Sequence, residues 1–324
     1  MKPVYKFLDF ALFVSFFPQL VVGPIVRAFT FLPQLEETRN FSRVQVKSCL
    51  MLFMVGFIKK ACISDRLSPI VDPFFDAPET YSASSSWVGV LFYAVQIYCD
   101  FSGYTDMAIA CAGLLGYELC LNFHFPYFSK NITEFWRRWH ISLSNWLRDY
   151  LYIPLGGNRG GKLFTYRNLM LIMLLVGLWH GAGWNFVIWG GLHGGALILQ
   201  REWSKLSAPY KWLCTLIKPI SPLLTFYWVC IGWIFFRAVD MEKSITIVKS
   251  FVFFNSPGSQ ELGIHHLGIF LLLAIAHFAT YKNLWREWWQ KFPDWIFAAW
   301  YGFAFSVILL FIAPNYSAFI YFQF

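Results

Sequence analysis

Thirty-three consecutive residues, Asn168 to Gln200, carry no charge. As one α-helix they would run about 50 Å, whereas the hydrocarbon core of a bilayer is about 30 Å thick. The segment is too long for one crossing and too apolar for a water-facing surface. Its glycines cluster in two places: Gly177, Gly181 and Gly183 in GLWHGAGW, and Gly190, Gly191, Gly194 and Gly195 in WGGLHGG. The pattern predicts two helices joined or broken near His180. Irregular backbone at membrane depth is tolerated where protein shields it or where it lines a watery cavity. An imidazole beside such a break is therefore a candidate functional group.

Other uncharged windows repeat the signal. They hold 17 residues between Asp9 and Arg27, 20 between Glu79 and Asp100, 18 between Lys218 and Arg237, 20 between Glu261 and Lys282, and 30 after Asp294. Shorter apolar stretches run over Ser48–Ile58 and Met107–Tyr117. Of the 324 residues, 57% are hydrophobic and 14% charged, too few charges to cover a water-soluble enzyme of this size. The expectation is an all-α polytopic membrane protein with roughly seven to nine membrane helices, forming one domain over residues 1–324. A β-barrel is disfavoured because the windows are continuous rather than alternating. The first window carries Pro18 and Pro24 and reaches Arg27 without a small-residue cleavage site, so it reads as part of the fold rather than a cleaved leader.

Two further segments break the pattern. In YCDFSGYTD, Asp100 and Asp106 interrupt a long apolar run, and Phe101-Ser102-Gly103 is the natural place for that run to break. The two carboxylates either mark an interfacial loop or lie in the bundle paired with arginine or backbone donors. Lys130 to Pro154 reads as an amphipathic helix. Trp139, His140, Leu143, Leu147, Tyr150 and Leu151 fall within about 60° of Trp136 on a helical wheel, and Arg138, Ser142, Asn145 and Asp149 fall opposite. A Ser, Asn or Thr can cap its start, and Pro154 with Gly156-Gly157 stops it. His140 thus points with the tryptophans rather than with the arginines.

Three of the seven histidines are conspicuous: His140, His180 and His193. The plain alternative for each is a helix-to-helix hydrogen bond. Haem ligation by two histidines thirteen residues apart is disfavoured by the glycines between them. The chemical reading is acid–base catalysis: a neutral imidazole takes a proton from a hydroxyl while that hydroxyl attacks an acyl carbonyl. The seven cysteines lie scattered in apolar segments without paired spacing, so neither a disulfide nor a metal site is expected. The net charge of +8 comes from basic loops flanking apolar segments, with seven basic residues from Lys130 to Arg167. It indicates a cytoplasmic face for that segment rather than a nucleic-acid partner.

Five strings carry a family resemblance: FFPQLVVGPIVRA (Phe16–Ala28), YCDFSGYTDMAIA (Tyr98–Ala110), FPYFSKNITEFWRRWHISLSNWLRDYLYIPLGGN (Phe125–Asn158), LWHGAGWNFVIWGGLHG (Leu178–Gly194) and the ending FIYFQF. With these the chain resembles the membrane-bound O-acyltransferases (MBOAT), closest to the alginate O-acetylation branch and more distantly to the D-alanyl exporters. The resemblance implies a helical bundle with broken or re-entrant helices around a tunnel in the cytoplasmic membrane. It implies His180 as the active-site histidine, His140 as its partner and a supporting role for His193. It implies no bound cofactor, an acyl donor such as acetyl-CoA or another acyl thioester, and an exported polysaccharide such as alginate as final acceptor. It also implies surrounding membrane lipid and a periplasmic or extracellular partner of the SGNH-hydrolase type that completes the transfer. Members of that branch carry further helices before the FFPQL string, so the chain is expected to be N-terminally short relative to the family. The alternatives are a non-catalytic transporter or channel for an acyl group, lipid or ion, and an inactive truncated remnant.

Overall fold

The computed structural model describes residues 6–20, 23–263, 265–284, 287–314 and 319. Among these the fold is helical, and the β geometry recorded is an isolated bridge between Tyr81 and Gln260. The chain divides into two compact units. One comprises Met1–Arg66, Gln96–Asn122 and Ala279–Gln323; the other comprises Leu67–Val95 and Phe123–Phe278, with Phe324. Apart from Phe319, the FIYFQF ending lies outside the described residues.

The first unit contains α1 (Phe7–Ser15), α2 (Phe17–Leu20), α3 (Ala28–Glu36) and α4 (Val46–Phe57), followed by a π-helical turn over Ile58–Ser64. Phe16, Phe31 and Ala112 are buried together, and Tyr117 stacks on Phe31 at 5.4 Å. The helix α5 (Asp65–Asp76) begins here and continues into the second unit, and α6 (Ala83–Leu114) contributes its later residues here. The expected break at Phe101-Ser102-Gly103 does not occur: α6 is continuous over 32 residues. Gly103 serves close approach instead. A Cβ there would stand 2.7 Å from the Gly56 carbonyl oxygen and 3.1 Å from the Lys60 nitrogen.

The carboxylates that suggested a break are paired within the unit, with lysines rather than arginines. Lys60 Nζ lies 2.7 Å from Asp65 Oδ1 and 2.7 Å from Asp100 Oδ1, and Lys59 Nζ donates to Asp106 Oδ2 at 2.6 Å. Both lysines come from the π-helical turn, a geometry frequent at specialised sites in helices. The last helix among the described residues, α15 (Asp294–Leu309), docks on α4 through Lys47, which reaches Asp294 at 2.8 Å, and through Tyr301, whose hydroxyl donates to the Leu50 carbonyl.

The second unit holds α7 (Ile132–Arg138), α8 (Ile141–Leu147), α9 (Lys162–His180), α10 (Trp184–Ser207), α11 (Lys211–Ile217), α12 (Ser221–Arg237), α13 (Met241–Phe253) and α14 (His265–Tyr281) up to Phe278. The long uncharged window resolves as expected into two helices, α9 and α10, joined by Gly181–Gly183. Their contact depends on missing side chains. A Cβ on Gly177 would collide with the Phe186 carbonyl, and one on Gly190 with the Met173 carbonyl. Small residues allowing such backbone approach hold helices together where lipid removes the hydrophobic drive between them. Arg237, the last residue of α12, bonds Asp72 of α5 at 2.7 Å.

The segment Lys130–Pro154 departs from expectation. It is two short helices and a π-helical turn (Arg148–Tyr152), not one helix. The break falls at His140, whose φ is 45°. That break rephases the wheel: Trp139, His140 and Leu143 are buried as expected, but Ser142 is buried too and Tyr150 is exposed. Asn131 supplies the expected cap, accepting from the Glu134 amide at 2.8 Å.

Among the described residues, α9 alone is long and apolar enough to cross a bilayer, and α11 with α12 qualify together as a pair bent by 65°. The apolar helices α14 and α15 have 17 and 16 residues. The seven to nine crossings read from the sequence thus do not appear as that many long helices. Prolines, glycines and breaks divide the windows into shorter pieces. All seven cysteines are free thiols.

Two stability outcomes follow from these contacts. Lys60→Ala leaves two buried carboxylates without their shared cation and should destabilise the protein by about 3–5 kcal/mol, read as a fall in the thermal midpoint of the detergent-purified chain. Gly190→Val should cost about 1–3 kcal/mol through overpacking. Gly195, where an added Cβ would meet no atom within 4 Å, should accept alanine without loss.

Candidate active site

The site is built at the tip of the α9–α10 hairpin, within the second unit. His180 is the last residue of α9, and Gly181 takes an extended conformation (φ 172°) that ends the helix. The half-buried His180 ring turns onto neighbouring aromatic rings. It meets Phe236 of α12 at 4.9 Å, Trp189 of α10 at 5.3 Å and its own neighbour Trp179 at 4.9 Å. Both Trp189 and Phe236 are buried, so the imidazole is held against the unit's aromatic core. Asn185 anchors the start of α10 by donating to the Ala238 carbonyl just beyond α12, at 2.8 Å.

His140 sits on the break between α7 and α8, outside the helices apolar enough to span. Its left-handed backbone is uncommon for a residue with a Cβ, although His is among the residues enriched there. Such a conformation persists only where its surroundings over-determine it, and it is concentrated at functional sites. Here Trp139 locks the preceding position by packing on Phe123 at 5.0 Å and Trp233 at 4.9 Å. The His140 side chain is 6% exposed. Burial pushes its pKa well below the ordinary imidazole value, and the nearby His180 pushes it further in the same direction. Both effects favour the neutral form of the His140 ring.

His193 joins the same ring cluster from one helical turn beyond Trp189. It is fully buried, 4.9 Å from Trp189 and 5.1 Å from Trp136. Sequence reasoning missed the aromatic frame that connects the three histidines: Trp136, Trp189, Trp233 and Phe236. The i, i+4 spacing of Trp189 and His193 was the available signal, since such residues share a helix face. Two local ion pairs fall within the motif. Arg138 bonds Glu134 at 2.6 Å, and Arg148 bonds Asp149 at 2.7 Å. No group of three or more metal-ligating side chains occurs among the described residues.

The profile of the membrane-bound O-acyltransferase family matches residues 2–243. The peptidoglycan O-acetyltransferase of Helicobacter pylori is 45% identical over 251 residues, covering 77% of this chain and 47% of the relative. The probable alginate O-acetylase AlgI of Azotobacter vinelandii is 47% identical over 235 residues, covering 72% and 46%. A teichoic acid D-alanyltransferase of Streptococcus thermophilus is 29% identical over 216 residues, covering 60% and 50%. The chain thus spans about half the length of the curated relatives it matches. With the family profile covering most of its residues and the histidine-bearing strings lying inside the matched region, the chain belongs to the membrane-bound O-acyltransferase family.

Proposed function

We propose that the chain carries the histidine centre of a multi-pass O-acyltransferase of the cytoplasmic membrane, moving an acetyl group from a thioester donor such as acetyl-CoA toward a hydroxyl of an exported polysaccharide or of peptidoglycan. The observation that carries the reading is the seating of His180 at a helix break, turned onto the buried rings of Trp189 and Phe236, with His140 buried on a left-handed backbone position of the same unit. The names of the O-acetyltransferase relatives support the acetyl group and the glycan class of acceptor.

In this reading the acceptor oxygen attacks the thioester carbonyl while His180 takes the hydroxyl proton. The new C–O bond forms, the C–S bond breaks, and the proton passes to the departing thiolate. His140 orients the reacting groups or stabilises charge on the acyl carbonyl. The aromatic walls exclude water, which limits hydrolysis of the donor. The immediate acceptor is a hydroxyl presented from the far side of the membrane, with an SGNH-type partner placing the group on the polymer.

His180→Ala should insert and accumulate like the parent yet lose acetyl transfer by at least about 100-fold, the scale of a general base, read as acetyl content of the exported polymer. Normal acetyl content in that variant would remove His180 from the mechanism. Uptake of labelled acetyl groups without their transfer, unaffected by His180→Ala, would mark a carrier instead. His140→Asn, which suits the left-handed backbone, should retain the fold and lower transfer.

A further inference from the structure

A cavity of about 940 Å³ opens within the second unit, lined by the start of α7, the later half of α10, α11 and the first turns of α12. Its volume is near the top of the range for small-molecule sites, about 300–1,000 Å³. It lies at the other end of α10 from the histidine centre: between Trp184 and Glu202 that helix rises about 27 Å. Both arms of the 65° bend between α11 and α12 contribute to its wall.

The wall is open to what surrounds the protein. Leu199, Trp203, Leu206 and Leu224 are exposed there, and so are Lys130 and Lys218. Most polar groups between them are already used within their own helices. Ser204 donates to the Gln200 carbonyl at 2.8 Å, Ser207 to the Trp203 carbonyl at 2.6 Å and Thr225 to the Ser221 carbonyl at 2.8 Å. The carboxylate in the wall, Glu202, is shared by Lys162 at 2.5 Å and Lys205 at 2.8 Å. The ammonium groups of Lys130 and Lys218 pair with no carboxylate among the described residues. The cavity therefore offers an apolar wall with two unmatched positive charges.

The adjoining sequence places this opening at the level of lipid headgroups. From Arg201 to Lys218 the chain carries Arg201, Lys205, Lys211 and Lys218 against Glu202 alone, with Trp203 and Trp212 among them. Basic residues interleaved with tryptophan are the composition of a membrane–water interface. An inorganic anion would match the lysines and leave the leucines bare. An apolar helix would cover the leucines and leave the lysines unmatched. A zwitterionic lipid brings its own cation to its phosphate. An anionic phospholipid satisfies both parts, and basic pockets between membrane helices recognise such headgroups. Resting on the membrane location in the reading above and not on its chemistry, we propose that this cavity binds one anionic phospholipid, its acyl chains against Leu199, Leu206 and Leu224 and its phosphate-bearing headgroup against Lys130 and Lys218.

The test uses the whole detergent-purified chain with two probes of identical acyl chains, phosphatidylglycerol and phosphatidylcholine, and counts bound lipid by native mass spectrometry. The parent should prefer phosphatidylglycerol by about tenfold or more, and its thermal midpoint should rise with that lipid, since a ligand of the folded state stabilises it. Lys130→Gln and Lys218→Gln should each lower the preference by about fivefold, the worth of one lysine at the headgroup level. Lys211→Gln removes the same charge from outside the cavity wall and should leave the preference unchanged. A phosphatidylglycerol bearing a diazirine on its acyl chain should label residues between Ala196 and Trp228. Equal binding of the two lipids by the parent, an equal loss in Lys211→Gln, or label confined to other segments would overturn the site. Crosslinks from a photoreactive residue at position 224 to another protein chain, in place of lipid, would assign the groove to a helix and overturn it as well. Acetyl transfer is measured separately, so failure of the acyltransfer reading shows in turnover and failure of this site shows in lipid preference.

Discussion

The second unit depends on two backbones touching. The helices α9 and α10 meet where Gly177 faces the Phe186 carbonyl and Gly190 faces the Met173 carbonyl, with no room for a side chain at either place. In an apolar solvent a helix gains little by burying leucines against another helix, and close packing between small residues supplies the attraction instead. This contact fixes the hairpin, and the hairpin fixes His180 at its tip and Trp189 and His193 on the face of α10 that meets α12. The site is a by-product of how tightly those two helices can be brought together.

The charged groups of the first unit obey a related rule. Asp100 and Asp106 could be carried inside a continuous helix because Lys60 and Lys59 reach them at 2.7 and 2.6 Å. Desolvating such pairs is costly, and each partner is tolerated because the other is present. The π-helical turn that supplies both lysines shifts the local residue phase, so that adjacent positions serve carboxylates six residues apart on α6.

The sequence was most informative where composition and spacing reported the solvent and the breaks. The helical class and the division of the 33-residue window beside His180 rest on charge placement and glycine position. It misled where a glycine or a carboxylate was read as a break. Gly103 is a point of contact, and whether a glycine bends a helix or admits a neighbour is decided by what packs there, which one chain's local sequence does not encode. The continuous helix expected over Lys130–Pro154 failed for the converse reason: nothing in the residue types at 139 and 140 forbids helix, and tertiary packing of Trp139 imposes the turn. Of the site, the histidines were legible as residue types out of place in apolar runs. The aromatic frame was not, because tryptophan and phenylalanine are so common here, 16 and 36 residues, that no single one stands out.

The left-handed backbone at position 140 separates two properties that usually travel together. In the proposed mechanism the ring serves the chemistry, whereas the torsion serves the architecture, and each constrains the permitted alphabet differently. Glycine and asparagine satisfy the torsion without the ring, valine and isoleucine satisfy neither, and histidine alone brings the imidazole while tolerating the torsion. Drift at this position is therefore channelled through a very narrow set of neutral neighbours, and a chain that abandoned its chemistry would first be recognised by asparagine or glycine appearing there while the surrounding tryptophans stayed in place.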